Sequence, residues 1–120
     1  MNPYIYTGLK PEMQQRVKNN VPESIVDLDE KKIIESACHT LDISVNVLLS
    51  TTRKRAITEA RHMICRILYV SQGSLSLKKI GKLLNRDHSS IIYAIKTCND
   101  MLDTCPDFES RYNLIMKNLS

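Results

Sequence analysis

The sequence predicts an all-α, multi-helix domain. Three observations carry this expectation. Breakers are scarce, with 4 Pro and 3 Gly in 120 residues, while Leu, Ile and Lys are plentiful, and that balance favours helices. Apolar residues after Asp27 recur at helical spacing, one face at a time. Short polar residues that cap helices stand just ahead of those runs. Hydrophobic residues make up 42% of the chain, enough for one domain with its own core.

Residues 1–26 read as an N-terminal arm, and 27–120 as the domain. Pro3, Gly8, Pro11 and Pro22 interrupt the arm. "KPEMQQRV" can make two helical turns with Pro11 near the first position. Leu9, Met13 and Val17 would share one side, so the arm can dock on the body or on a protein partner. Asp27 then reads as an N-cap, with Glu30 reaching back as in a capping box. Ile33, Ile34, Ala37 and Leu41 line the helix that follows. Ser44 caps a short helix carrying Val45, Val47, Leu48 and Leu49. "STTRKRA" breaks the apolar pattern with hydroxyls and three adjacent cations. A third helix turns Ile57, Ala60, Ile64, Ile67 and Leu68 inward and ends near Gly73, a residue suited to a left-handed helix stop. Ser76 caps a fourth helix with Leu77, Ile80 and Leu84 on one face. A fifth turns Ile91, Ile95, Cys98 and Leu102 inward. Pro106 opens a sixth with Phe108, Tyr112, Ile115 and Leu119 in one stripe.

Charge is unevenly spread. The net charge is +4, yet Arg53–Lys96 holds ten Lys/Arg against Glu59 and Asp87. That segment is +8 and the remainder −4. Such a middle is either a solvated charged face or a seat for a polyanion. The four cysteines, Cys38, Cys65, Cys98 and Cys105, form no C-x-x-C pair and no zinc spacing. Three of them fall in apolar helical patterns as small hydrophobes. No signal peptide or long apolar run is present, so a reducing cytoplasm is expected and a membrane is not. No phosphate-binding glycine loop, paired acids or Ser-His-Asp relay is found, and no enzyme, nucleotide or other cofactor is expected.

The segment "NRDHSS", Asn85–Ser90, joins the fourth and fifth helices. Two helices joined so tightly form a helix-turn-helix candidate. Asn85 tolerates the positive φ of a sharp turn. Asp87, His88, Ser89 and Ser90 fall on the N-cap and first turn of the fifth helix, where amides lack intrahelical partners. One reading is a solvated, well-capped helix. The other is a DNA-reading turn, because the start of the second helix meets base edges in the major groove. Asp accepts from cytosine N4, and His and Ser donate to purine or phosphate acceptors.

From about Leu28 to Leu119 the chain resembles the C-terminal DNA-binding domain of the bacterial replication initiator DnaA. "VNVLLSTTRKR" looks like that family's short helix and basic loop. "ARHMICRIL" resembles the helix that begins with its Arg-Gln pair, while His39 and His62, both within helices, read as surface or satisfied residues and not as sites. "LSLKKIGKLLNRDHSSIIYAIK" resembles the signature segment, and "CPDFESRYNLI" the closing helix. The resemblance implies a Trp-repressor-like helix-turn-helix. It implies base reading by Asp87, His88 and Ser89. It implies phosphate contacts from Ser90, the signature Arg86, the basic-loop residues Arg53, Lys54 and Arg55, and Arg61. Lys78 and Lys79 are added from their position on the fourth helix.

The departures are specific. Many members carry a minor-groove arginine where this chain has Glu59, an acid that would repel phosphate. Ser89 stands where Thr is common and lacks a methyl for thymine. Asn85 replaces Gly, and Tyr93 replaces His. The family's ATP-binding domain precedes its DNA-binding module, but here only about 27 residues do, without a Walker A sequence. The chain reads as either an excised domain or a small stand-alone protein, and the initial Met and the tyrosine-bearing arm favour the second. The expected function is sequence-specific binding of double-stranded DNA at DnaA-box-like sites, in replication initiation, its regulation or transcription. The expected location is the cytoplasm, on the nucleoid. The alternative is a protein-interaction module that has lost box recognition, with Glu59 as its hint.

Overall fold

The computed structural model describes residues 29–71 and 75–120. Among these lie six helices: α1 (Glu30–Leu41), α2 (Val45–Leu48), α3 (Arg55–Ser71), α4 (Leu77–Leu84), α5 (His88–Thr104) and α6 (Pro106–Leu119). The arm, the Asp27 cap and Gly73 lie outside the described residues.

The central helix is α3, which packs chiefly on α5 and also on α1, α2 and α4. The last helix, α6, lies against α1 and α5. The stripes read from the sequence form one core. Ile33, Ala37, Ile64, Ile67, Leu68, Ile80, Leu84, Ile91, Ile95, Cys98, Phe108 and Ile115 are buried together, and Leu41 and Leu102 pack at its margin. All four cysteines are free, and burial raises the Cys38 thiol to about 11 and the Cys98 thiol to about 12. Thiols held neutral in this way act as packing groups and not as nucleophiles.

The caps explain the helix boundaries. Ser44 accepts from the Val47 amide and Ser76 from the Lys79 amide, as the sequence predicts. The first helix differs. Its N-cap is Asp29, whose Oδ1 accepts from the Lys31 and Lys32 amides at 2.7 and 3.3 Å. Glu30 is thus the first helical residue and cannot be the reciprocal member of a capping box, which sits three residues after the cap. At the other end of α1, Asp42 takes φ 57° and its N–H returns to the Cys38 and His39 carbonyls. This left-handed stop allows the short link to α2.

Candidate nucleic-acid interface

The turn between α4 and α5 is three residues long. Asn85 is left-handed, φ 58° and ψ 46°, and its N–H bonds the Gly81 and Lys82 carbonyls. The Arg86 amide then bonds the Gly81 carbonyl at 2.8 Å. Gly81 is required by this approach: a Cβ there would drive into the Arg86 carbonyl oxygen, closer than real Cβ atoms come. Asp87 follows as N-cap, with Oδ1 accepting from the Ser90 amide at 2.8 Å. Hydrogen bonds from the Ser90 main chain and hydroxyl hold the exposed Asp87 carboxyl below its ordinary pKa, with His88 and Ser89 adding to the effect.

This geometry sorts the base-reading candidates. Asp87, His88 and Ser89 are consecutive at the start of α5, with Asp87 and Ser89 exposed and His88 partly so. The cap uses Asp87 Oδ1, and a carboxylate has further lone pairs on its second oxygen. Ser90 is exposed too, and its main-chain N–H bonds Asp87 Oδ1.

Opposite the turn stands the basic loop. Arg53, Lys54 and Arg55 are exposed, and Arg55 is the first residue of α3. A cation at a helix N-terminus opposes the macrodipole. Glu59, one turn on, offsets it by accepting from Arg55 Nε at 3.1 Å. The other Glu59 oxygen accepts from Arg111 Nη2 of α6 at 2.7 Å. Glu59 is therefore buried in ion pairs and not turned outward as a bare acid. Burial alone would raise its pKa; the hydrogen bonds from Arg111 and Arg55 outweigh that and lower it.

Arg61 occupies an unexpected place. It is 8% exposed, and its Nε, Nη1 and Nη2 donate to the carbonyls of Leu48, Thr52 and Ser50, each at 2.7 Å. Arg86 Nη2 donates to the same Ser50 carbonyl at 2.6 Å. One loop oxygen thus ties α3 and the turn together. Burial and the nearby Arg86 pull the Arg61 pKa down, but an arginine stays charged. Neither guanidinium is paired with a carboxylate among the described residues.

Between loop, α3 and α5 runs an open groove of about 900 Å³. Its walls include Thr51, Thr52 and Arg53 from the loop, Thr58, Arg61 and His62 from α3, and Arg86, Asp87, Ser89, Ser90 and Tyr93 from the turn and α5. Hydroxyls and guanidiniums share this lining with the apolar side chains of Cys65, Leu84, Ile91 and Ala94. Lys78 and Lys79 are exposed on α4 but do not line the groove, and Lys79 lies 4.0 Å from Glu30. Arg61 and Arg86 as loop anchors, and Glu59 as a partner of Arg111, carry no signal in the sequence. Their partners are 13, 36 and 52 residues away.

Comparison with known proteins bears on this geometry. Residues 31–98 match the family described as bacterial dnaA protein helix-turn-helix. The match takes in every candidate residue from Arg53 to Ser90. The chain is 36% identical over 91 residues to the chromosomal replication initiator protein DnaA of Ureaplasma parvum, covering 72% of this chain and 20% of that protein. It is 35% identical over 75 residues to that of Gloeobacter violaceus, covering 62% and 17%. With that of Flavobacterium psychrophilum it shares 29% identity over 112 residues, covering 92% and 22%. The chain spans about a fifth of the length of these relatives. The matched region is a helix-turn-helix without catalytic function. An all-helical body with its paired turn at Asn85–Asp87, and the match across it, make this chain a member of the bacterial DnaA helix-turn-helix family.

Proposed function

We propose that the protein binds double-stranded DNA by sequence, at sites resembling DnaA boxes, and acts in replication initiation or its regulation. The carrying observation is the groove walled by Arg61 and Arg86, two guanidiniums held by carbonyls and paired with no carboxylate among the described residues. Such a wall suits a phosphodiester strand. A strand lying there would put the start of α5 in the groove on one side and the basic loop on the other. Asp87, His88 and Ser89 would read base edges. Arg53, Lys54 and Arg55 would hold phosphates, with Lys78 and Lys79 meeting the backbone outside the groove. This division separates positioning from reading. Arg61 holds the loop in place, and its remaining N–H groups face the same strand. That reading puts the protein in the cytoplasm, on the nucleoid.

Glu59 does not oppose it. A carboxylate clasped by Arg55 and Arg111 adds little repulsion to a phosphate. Selection of bound duplexes from a random pool with the full chain tests the proposal. Enrichment of a short motif is the expected result. Uniform recovery of all sequences would remove base reading, and no recovery would remove DNA binding and favour the interaction-module reading.

A further inference from the structure

We propose that His62 is a phosphate ligand of the groove, and that DNA binding takes up a proton on its imidazole; the inference rests on the DNA-binding reading above. His62 sits on α3, one residue after Arg61. The residue is half-buried and lines the groove. Its Nδ1 is buried without a hydrogen-bond partner, which leaves Nε2 as the nitrogen able to meet a ligand. Its ring meets Tyr93 of α5 edge-on, with centroids 6.0 Å apart at 77°. Tyr93 is itself 65% exposed, so the pair forms a wall that an incoming strand reaches.

The charges around the ring decide its state. Glu59 and Arg61 stand on its own helix, Arg53 on the loop, and Arg86, Asp87 and the Tyr93 phenol on the turn and α5. Glu59 is already shared by two arginines and Asp87 caps α5. The Cys65 thiol nearby is kept neutral by burial. Burial lowers the His62 pKa; Glu59 opposes this and Arg61 adds to it. The imidazole of the free protein is therefore neutral near pH 7. A phosphodiester in the groove reverses the balance. Its negative charge favours the imidazolium, and Nε2–H donates to a phosphate oxygen. One proton passes from solvent to the ring and forms the second N–H bond of the imidazolium, and no bond between heavy atoms changes.

The sign follows from linkage. The bound pKa lies above the free pKa, so affinity is greatest below the free value. It falls as pH rises toward the bound value, by up to about tenfold per pH unit. Glutamine at this position keeps a donor but loses the proton. The test measures affinity for a duplex recovered from the random pool between about pH 5.5 and 7.5, for the full chain and for His62→Gln. Imidazole proton resonances are followed through the same range, free and bound, with the His62 signal assigned by its loss in the variant. His88 is a second imidazole of the proposed interface, so the difference between the two proteins is the quantity read. A flatter pH profile for His62→Gln, and a His62 midpoint that rises on binding, are expected. Duplex binding with identical profiles, or with an unmoved His62 midpoint, overturns the inference and leaves the DNA reading intact. No duplex binding at any pH overturns both. If the variant folds poorly, sequential through-bond assignment of the wild-type chain identifies the His62 signal, and its midpoint free and bound keeps the test decisive.

Discussion

At the scale of single residues, the Ser50 carbonyl is the meeting point of the interface. Arg61 and Arg86 both donate to it, so one loop oxygen relates the basic loop to the turn that starts α5. Arg61 also holds the Leu48 and Thr52 carbonyls. Hydrogen bonds from a charged donor contribute about 1.5–3 kcal/mol each, and their loss leaves carbonyls unpaired. Arg61→Ala should therefore lower stability by about 2–4 kcal/mol in urea unfolding. It should also weaken duplex binding more than Arg55→Ala does, because the loop itself shifts. Arg61→Lys should not restore the loop, since an ammonium lacks the planar fork that reaches three carbonyls. The reading and positioning residues differ in another way. Loss of a base contact at His88→Ala should cost about 1–3 kcal/mol on the preferred sequence and little on others. Arg55→Ala should weaken all duplexes alike. Affinities of both variants for preferred and scrambled duplexes separate the two roles, and equal losses across sequences would end the distinction.

At the scale of elements, the α4–α5 turn depends on Gly81 as much as on Asn85. Gly→Ala inside a helix ordinarily stabilises by about 1 kcal/mol. Here the added methyl meets the Arg86 carbonyl, a backbone atom that cannot swing aside. Overpacking of this kind costs about 1–3 kcal/mol and shifts backbone. Gly81→Ala should thus lower Tm and displace the start of α5, seen as changed amide resonances for Arg86–Ser90. A second element-level contact joins the start of α3 to α6 through Glu59 and Arg111. The Glu59 pKa is lowered in the folded protein. Its contribution is complete above the unfolded value near 4.3 and is lost as pH falls through the folded value. Arg111→Met should cost about 1–3 kcal/mol at neutral pH. The gap in Tm from wild type should narrow once pH falls below about 4. A gap that stays constant with pH would place the Arg111 contribution in its packing on Phe108, 5.8 Å away.

At the scale of the molecule, α3 carries the arrangement, touching the loop at one end and the α5–α6 core along its length. Arg66 of α3 is 8% exposed, and it donates to Asn99 at 2.6 Å and to the Tyr112 hydroxyl at 2.5 Å. Its guanidinium also lies 5.2 Å from the Tyr112 ring centre. Burial raises the Tyr112 phenol to about 12, against the pull of Arg66. This cluster sets α3, α5 and α6 in one register and so fixes the groove's walls. In the proposed DNA complex the exposed cations form the electrostatic layer. With phosphates at Arg53, Lys54, Arg55, Lys78 and Lys79, the logarithm of affinity should fall against that of salt with a slope of about −4 to −5. Titrations in rising salt check this, and a slope near −1 would rule out a five-cation footprint.

The sequence by itself determined the helices and most of their punctuation. Apolar periodicity marked the inward faces from Ile33 to Leu119, and Ser44, Ser76, Asn85, Asp87 and Pro106 marked boundaries, because these depend on neighbours within four residues. It also carried the "RDHSS" start of α5, since the first turn of a helix is a local feature. Asp29 in place of Asp27 shows the limit of that reasoning, where two acids stood close enough for either to cap. What only the tertiary structure decided is which cations face outward. Arg61 reads as one more basic residue, yet it is buried under the loop by carbonyls whose position depends on α2. Glu59 reads as a misplaced acid, yet Arg111 draws it inward from 52 residues away. Both outcomes turn on which groups the folded chain brings within hydrogen-bond distance, and spacing along the sequence holds no record of that.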